Sequence, residues 1–257
     1  MKTYQSKILI QFILSILLCF NLNYSLAQST DLNGKKLLIY TKNGKGYVHK
    51  NIATSVATLQ KICKSIGVET RVSDDPQVFT DTDIMNYDAV IFTNTNNEAF
   101  DNEEQREAFK VYCQSGKSFG GIHSAIGSER KWPWFWKLIG GSFSRHPPFQ
   151  TFTVKVNRPN HPATKHLPSE FESDDECYFM KNINPSFKIL LEADLSTVSE
   201  NENGKKPFRP ERAPLSWYNT FEGGKQWYTA LGHSKDLYAL PWFQKHLQGG
   251  IEYLLQD

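Results

Sequence analysis

Four histidines and one carboxylate are spaced so that a folded chain could bring them to a common ligand: His49, His123, His146, His233 and Glu176. Imidazole titrates near neutral pH and a neighbouring carboxylate can orient it, so this set suits proton transfer to and from a substrate. Imidazole and carboxylate are also zinc and manganese ligands, and His123, Glu176 and His233 could hold a divalent metal. No tight His-x-x-x-His pair singles that reading out. Taken one at a time, each histidine reads more readily as a hydrogen-bonded structural residue than as a catalyst. What points to a site is their shared setting at the ends of predicted strands. His161 and His166, next to Pro162 and Pro168, read instead as turn residues, and His246, between apolar residues of the last helix, reads as structural.

The stretch from Lys117 to His146 supplies the centre of this set: Gly120 and Gly121, then His123 and Ser124, an aromatic run from Trp132 to Trp136, a second double glycine and His146. It reads as strand, sharp turn and helix. In an open parallel sheet, ligands bind outside the carboxyl ends of the strands, which is where His123 and Ser124 would stand. Glycines before the histidine are expected to let the backbone bend or be approached closely. Trp132, Trp134 and Trp217 offer flat apolar faces that suit a sugar ring, though contiguous aromatics at a helix start equally suit core packing.

The rest of the chain reads as the frame for these residues. Residues 36–41 form a short apolar strand leading into the loop that carries His49, and Ile52, Val56, Leu59, Cys63 and Ile66 recur at helical spacing before Gly67. Strands are expected at 68–72 and 88–93, and a helix starting from an Asp101–Glu104 capping pair and ending near Gly116. Strands alternating with helices imply a doubly wound α/β sheet, with the first and fourth strands adjacent and His49 and His123 facing one crevice. Further strands are predicted at 150–156, 177–180, 188–193, 214–218 and 225–231, a solvated loop at 200–210, and a closing helix from Pro241.

Residues 1–27 differ from the remainder. Lys2 and Lys7 precede an apolar run from Ile8 to Phe20, and Ser25, Leu26 and Ala27 supply the small residues of a cleavage site, so a secretory signal is expected, placing the mature protein in the periplasm or outside the cell. The run is shorter than a membrane span of ~20 residues, and no transmembrane segment is expected in the mature chain. Its removal takes the formal charge from +2 to 0, so nucleic acid is not an implied partner. Cys63, Cys113 and Cys177 include no Cys-x-x-Cys pair, which leaves one bridge with a free thiol, or three small core residues.

Gly-Ile-His-Ser-Ala (121–125), the Trp-Pro-Trp to Gly-Gly run, His146-Pro, His161-Pro-Ala-Thr, Asp175-Glu-Cys-Tyr178, Pro214-Leu-Ser-Trp217 and the run from Trp227 to Ser234 together resemble the ThuA-like, or trehalose-utilisation, family across about Lys36 to Leu255. The resemblance implies one domain over residues 35–257 with a flavodoxin-like core of the class I glutamine amidotransferase-like superfamily. It also implies a role in carbohydrate catabolism, alongside sugar 3-dehydrogenases as pathway partners. Glutamine hydrolysis is not implied, because Ile122, His123 and Ser124 occupy the turn where that superfamily carries its nucleophilic cysteine. Lys225-Gln226 likewise replaces the family's usual Gly-Arg.

The expected activity is acid–base chemistry at C2 and C1 of a glucoside or 3-keto glucoside, as an isomerase, lyase or hydrolase. His123 and His233 would flank the sugar, Glu176 would orient one of them or act as base, and His49 or Tyr228 would donate to the developing oxygen charge. Ser124, Trp132, Trp134 and Trp217 are the expected substrate contacts. No cofactor is identified, with a divalent metal as the open option. The alternatives are a non-catalytic sugar-binding or scaffold protein and a metal-dependent hydrolase.

Overall fold

The computed structural model describes residues 31–81, 84–200 and 208–256. The expected signal segment and much of the 200–210 loop lie outside them. From Leu32 onward the chain is one compact unit.

Among the described residues, nine strands form one sheet and two more a small ladder beside it. In chain order these are β1 (Lys36–Tyr40), β2 (Glu69–Ser73), β3 (Ala89–Thr93), β4 (Ser118–Ile122), β5 (Ser142–Arg145), β6 (Gln150–Val156), β7 (Glu170–Asp175), β8 (Phe179–Lys181), β9 (Lys188–Ala193), β10 (Ala213–Phe221) and β11 (Gly224–Thr229). The large sheet runs β2-β1-β3-β4-β11-β10-β9-β6-β7, and β5 pairs with β8. From β2 to β11 neighbours are parallel, and from β11 onward antiparallel. A doubly wound, flavodoxin-like core is thus extended by an antiparallel half. One expectation is corrected: β3 lies between β1 and β4. The order reverses at β1, so the crevice opens over the carboxyl ends of β1, β3 and β4 together.

The helices are α1 (Ile52–Ser65), α2 (Glu103–Gln114), α3 (Pro133–Ile139) and α4 (Pro241–Leu255). α1 ends as its spacing predicts, with Gly67 at φ +78° and the Val68 amide donating to the Cys63 carbonyl. The α2 cap is one residue later than the expected pair: Asn102 accepts from the Gln105 amide, and the Gln105 side chain accepts from Asp101 N. α1 and α4 pack against each other on one face of the sheet. On the other face Phe109 of α2 and Phe135 of α3 meet Phe92 and Phe119 of the sheet, ring centroids 5.2–6.5 Å apart.

The two glycines of β4 lie within the strand rather than in the turn. A side chain on Gly120 would stand 2.9 Å from Leu254 of α4, and one on Gly121 3.0 Å from Ile139 and Tyr228. They let both helical layers close onto the sheet centre, and the bend falls on His123 itself, at φ +52°.

His246 of α4 is fully buried, between the Ala163 carbonyl and the Thr229 hydroxyl, and burial pushes its imidazole down to about 3. In the unfolded chain it titrates at about 6.5, so below that value the unfolded state binds the extra proton. The stability it confers is complete above about pH 6.5 and is lost as pH falls toward about 3. His246→Gln is expected to reduce the loss of stability between about pH 7 and pH 4.5 by on the order of 2 kcal/mol, read from urea midpoints. Identical pH slopes in variant and parent would refute this.

Candidate active site

A pocket of about 410 Å³ opens over the carboxyl ends of the parallel strands, and His49, Ser124, His146, Glu176 and His233 all line it. Each arrives from a different connection. His49 ends the loop after β1, Ser124 follows the β4 turn, and His233 follows β11. The β5–β8 ladder brings in the others: His146 comes one residue after β5 and Tyr178 one residue before β8, their rings stacked with centroids 5.6 Å apart.

His123 holds the centre. Its backbone is in the left-handed region, uncommon for a residue with a side chain, and such strain persists only where surroundings fix it. Here the Tyr228 hydroxyl donates to the His123 carbonyl at 2.7 Å. The imidazole is fully buried, and its Nδ1–H donates to the Ala230 carbonyl at 2.7 Å, which directs a lone pair on Nε2 into the cluster. Around that atom stand Tyr178 Oη at 2.9 Å, His49 Nε2 at 3.2 Å, His233 Nδ1 at 3.4 Å and Glu176 Oε2 at 3.6 Å. Glu176 Oε2 also accepts from His233 Nδ1 at 3.1 Å, and its Oε1 faces His146 Nε2 at 3.6 Å. His146 Nδ1–H is committed to the Pro147 carbonyl. Burial holds His123 well below the usual histidine value and pushes His49 down to about 4, whereas the hydrogen bond to Glu176 raises His233. Two neutral imidazoles therefore lie beside a carboxylate-paired one.

Behind this layer sits Asp175, fully buried. Its carboxylate accepts from the amides of Gly232 (2.7 Å), Glu176 (2.8 Å) and His233 (3.2 Å), fixing the backbone that carries two site residues. Burial nevertheless pushes its carboxyl up to about 7. Asn51 ties the same loop from the other side, its Nδ2 donating to the carbonyls of Gly232 and His233.

Four expected contacts lie elsewhere. Tyr228 is fully buried and acts on the His123 backbone, so it has no hydroxyl to offer a substrate. Trp132 and Trp134 start α3 with their rings turned to the core, near Phe100 and Phe109, and Trp134 Nε1–H donates to Glu222. Trp217 is buried against Tyr228, its indole N–H on the Ile139 carbonyl. The aromatic lining comes instead from Tyr47, Phe143 and Tyr178, with Asn96 and Arg130 adding polar groups. Alternation signals Tyr178: Asp175 and Cys177 turn into the core while Glu176 and Tyr178 face the pocket. Nothing in the sequence singles out Arg130. His161 and His166 bond to turn and helix backbone, as their proline neighbours suggest.

A doubly wound sheet that gathers imidazoles and a carboxylate at its strand ends defines an α/β protein with a ligand crevice in the flavodoxin-like position. The chain belongs to the ThuA, trehalose utilisation, family, whose model matches residues 36–254. Among solved structures it is similar to a ThuA-like protein from Bacteroides uniformis, at 22% identity and a TM-score of 0.72 over 90% of this chain and 94% of that one. A ThuA-like protein from Parabacteroides merdae matches at 21% identity and 0.66, over 87% and 90%. A β-galactosidase from Bacillus circulans sp. alkalophilus shares the fold over 87% of this chain but 31% of its own, at 13% identity and 0.53. No curated protein matches. The turn after β4 carries His123, and Cys63, Cys113 and Cys177 are all free and buried, their thiols raised by burial, so none is an activated thiolate. No described helix is long and apolar enough to cross a membrane.

Proposed function

We propose that this pocket transforms a keto sugar, a 3-keto glucoside or similar glycoside, by proton abstraction next to the carbonyl. The observation that carries the reading is the convergence of Glu176 and the imidazoles of His49, His146 and His233 in one aromatic-lined pocket, with the His123 imidazole buried against them, in a trehalose-utilisation family member. Its volume, about 410 Å³, falls in the range of small-ligand sites. A carbonyl at C3 acidifies the C2 proton. The Glu176–His146 pair takes that proton, and the electron pair moves onto the C3 oxygen, beside the His49–His123–His233 group. When the carbonyl re-forms, C1=C2 forms and the C1–O bond breaks, the leaving oxygen taking a proton from an acid in the pocket. Reprotonation without cleavage gives isomerisation. Tyr47, Phe143 and Tyr178 face the ring in place of the tryptophans.

A sugar 3-dehydrogenase is the class of enzyme that would supply such a substrate. The leader-like residues 1–27 support action in the periplasm or outside the cell. A 3-keto glucoside labelled with deuterium at C2 is expected to lose that label to water on turnover, and His146→Ala to slow turnover by about 100- to 10,000-fold. Product that retains the C2 label would sink the mechanism.

A further inference from the structure

His123 Nε2 has more polar neighbours than protons can satisfy. With Nδ1–H given to Ala230, Nε2 has one lone pair and can accept one in-plane hydrogen, yet a hydroxyl, two imidazole nitrogens and a carboxylate oxygen stand within 3.6 Å. His49 is a second misfit. Its Nε2 faces His123, and its buried Nδ1 has no hydrogen-bond partner among the described residues.

We propose that His49 Nε2, His123 Nε2, His233 Nδ1 and Glu176 Oε2 are the ligands of one divalent first-row transition-metal ion of the zinc or manganese kind. Ligands at about 2.0–2.1 Å from a tetrahedral zinc ion stand about 3.3 Å from one another. The separations here are 3.2 Å for His49–His123, 3.4 Å for His123–His233, 3.1 Å for His233–Glu176 and 3.6 Å for His123–Glu176, and all four residues offer ligand atoms within 4.8 Å of one another. Three imidazoles disfavour magnesium and calcium, which take oxygen ligands. The surrounding layer is of the kind that orients metal ligands: Ala230 fixes the His123 tautomer, and Asp175 fixes the backbone of Glu176 and His233.

Three of the four ligands line the pocket, so a sugar carbonyl oxygen can approach the ion. The ion would then stabilise the developing oxygen charge, leaving His146 to move the proton. The inference rests on the keto-sugar reading for its substrate alone and on geometry for the metal.

The test uses the full chain, with metal content measured before chelation and binding measured afterwards with Zn²⁺, Mn²⁺, Mg²⁺ and Co²⁺, each alone. About one equivalent of Zn²⁺ or Mn²⁺ is expected to bind, far more tightly than Mg²⁺, and Co²⁺ should give the visible bands of a nitrogen-rich site. His233→Ala, checked for folding by circular dichroism, should lower affinity on the order of 100-fold, and Glu176→Gln similarly, while His161→Ala should bind as the parent does. Binding no tighter than that of Mg²⁺, or parent-like binding by both ligand variants, overturns the inference. Full turnover of a keto glucoside by metal-free protein overturns the metal's role and keeps the carbohydrate reading. Stoichiometric, His233-dependent binding without turnover of any keto sugar supports the metal centre and sinks that reading.

Discussion

Glu176→Gln is expected to lower turnover of a keto glucoside by about 1,000- to 10,000-fold while the protein stays folded, the upper part of the range for a positioned acid or base. Among the described residues that line the pocket, this carboxylate is the one acidic group, with Oε2 on His233 and near His123 and Oε1 toward His146. Glutamine keeps its shape but loses the charge, one acceptor and the capacity to take a proton. The loss should fall on kcat, with KM within about threefold, because the group acts most strongly as charge develops. His233 should titrate lower in the variant, since its hydrogen bond to the Glu176 carboxylate is what raises it. Turnover within tenfold of the parent would remove Glu176 from the chemistry.

Asp175→Ala is expected to destabilise the domain by about 3–5 kcal/mol and abolish turnover, although the side chain does not line the pocket. Three backbone amides converge on this carboxylate, and truncation strands all three in the interior at about 1–3 kcal/mol each, with partial relief from any water that enters. The same change frees the loop carrying His233 and the turn carrying Glu176, so stability and site assembly should fail together. Asp175→Asn should lose less, because its carbonyl oxygen can still accept from Glu176 and His233 while its NH₂ opposes the Gly232 amide. Thermal unfolding and turnover of the three proteins decide this. An alanine variant as stable and active as the parent would show that these hydrogen bonds are not needed.

The parallel half of the fold was legible because buried strands and amphipathic helices carry strong periodic signals. Leu37 to Tyr40 and Ala89 to Phe92 are fully buried apolar runs, and α1 and α4 show unbroken helical spacing. β7 was not legible: Glu170 to Asp175 is largely charged, with no apolar face of its own, and it pairs as the last strand of the sheet. β5, four residues long, is too short to show a period. His49, His123 and His233 could be placed because each follows a predicted strand, and His146 and Glu176 because each precedes one. The aromatic side chains could not be, because composition says that a ring is apolar and not which layer it faces. Trp132 and Trp134 went to the core, whereas Tyr178 reached the pocket through an alternation visible only once β7 and β8 are placed.

The position of β11 governs when the protein can become itself. Residues 119–122 of β4 pair with 226–229, so the middle of the sheet is closed by a segment made long after β4 itself. A nascent chain that has made β1 to β4 therefore carries a bare inner edge, with neither His233 nor the Asp175 clasp on its loop. Domains in this arrangement do not mature in halves, and the unfinished edge is a template for misassembly until β11 is made and pairs. The pocket and the completed hydrogen-bond ladder should thus appear in one step, which makes the assembled site a reporter of finished folding.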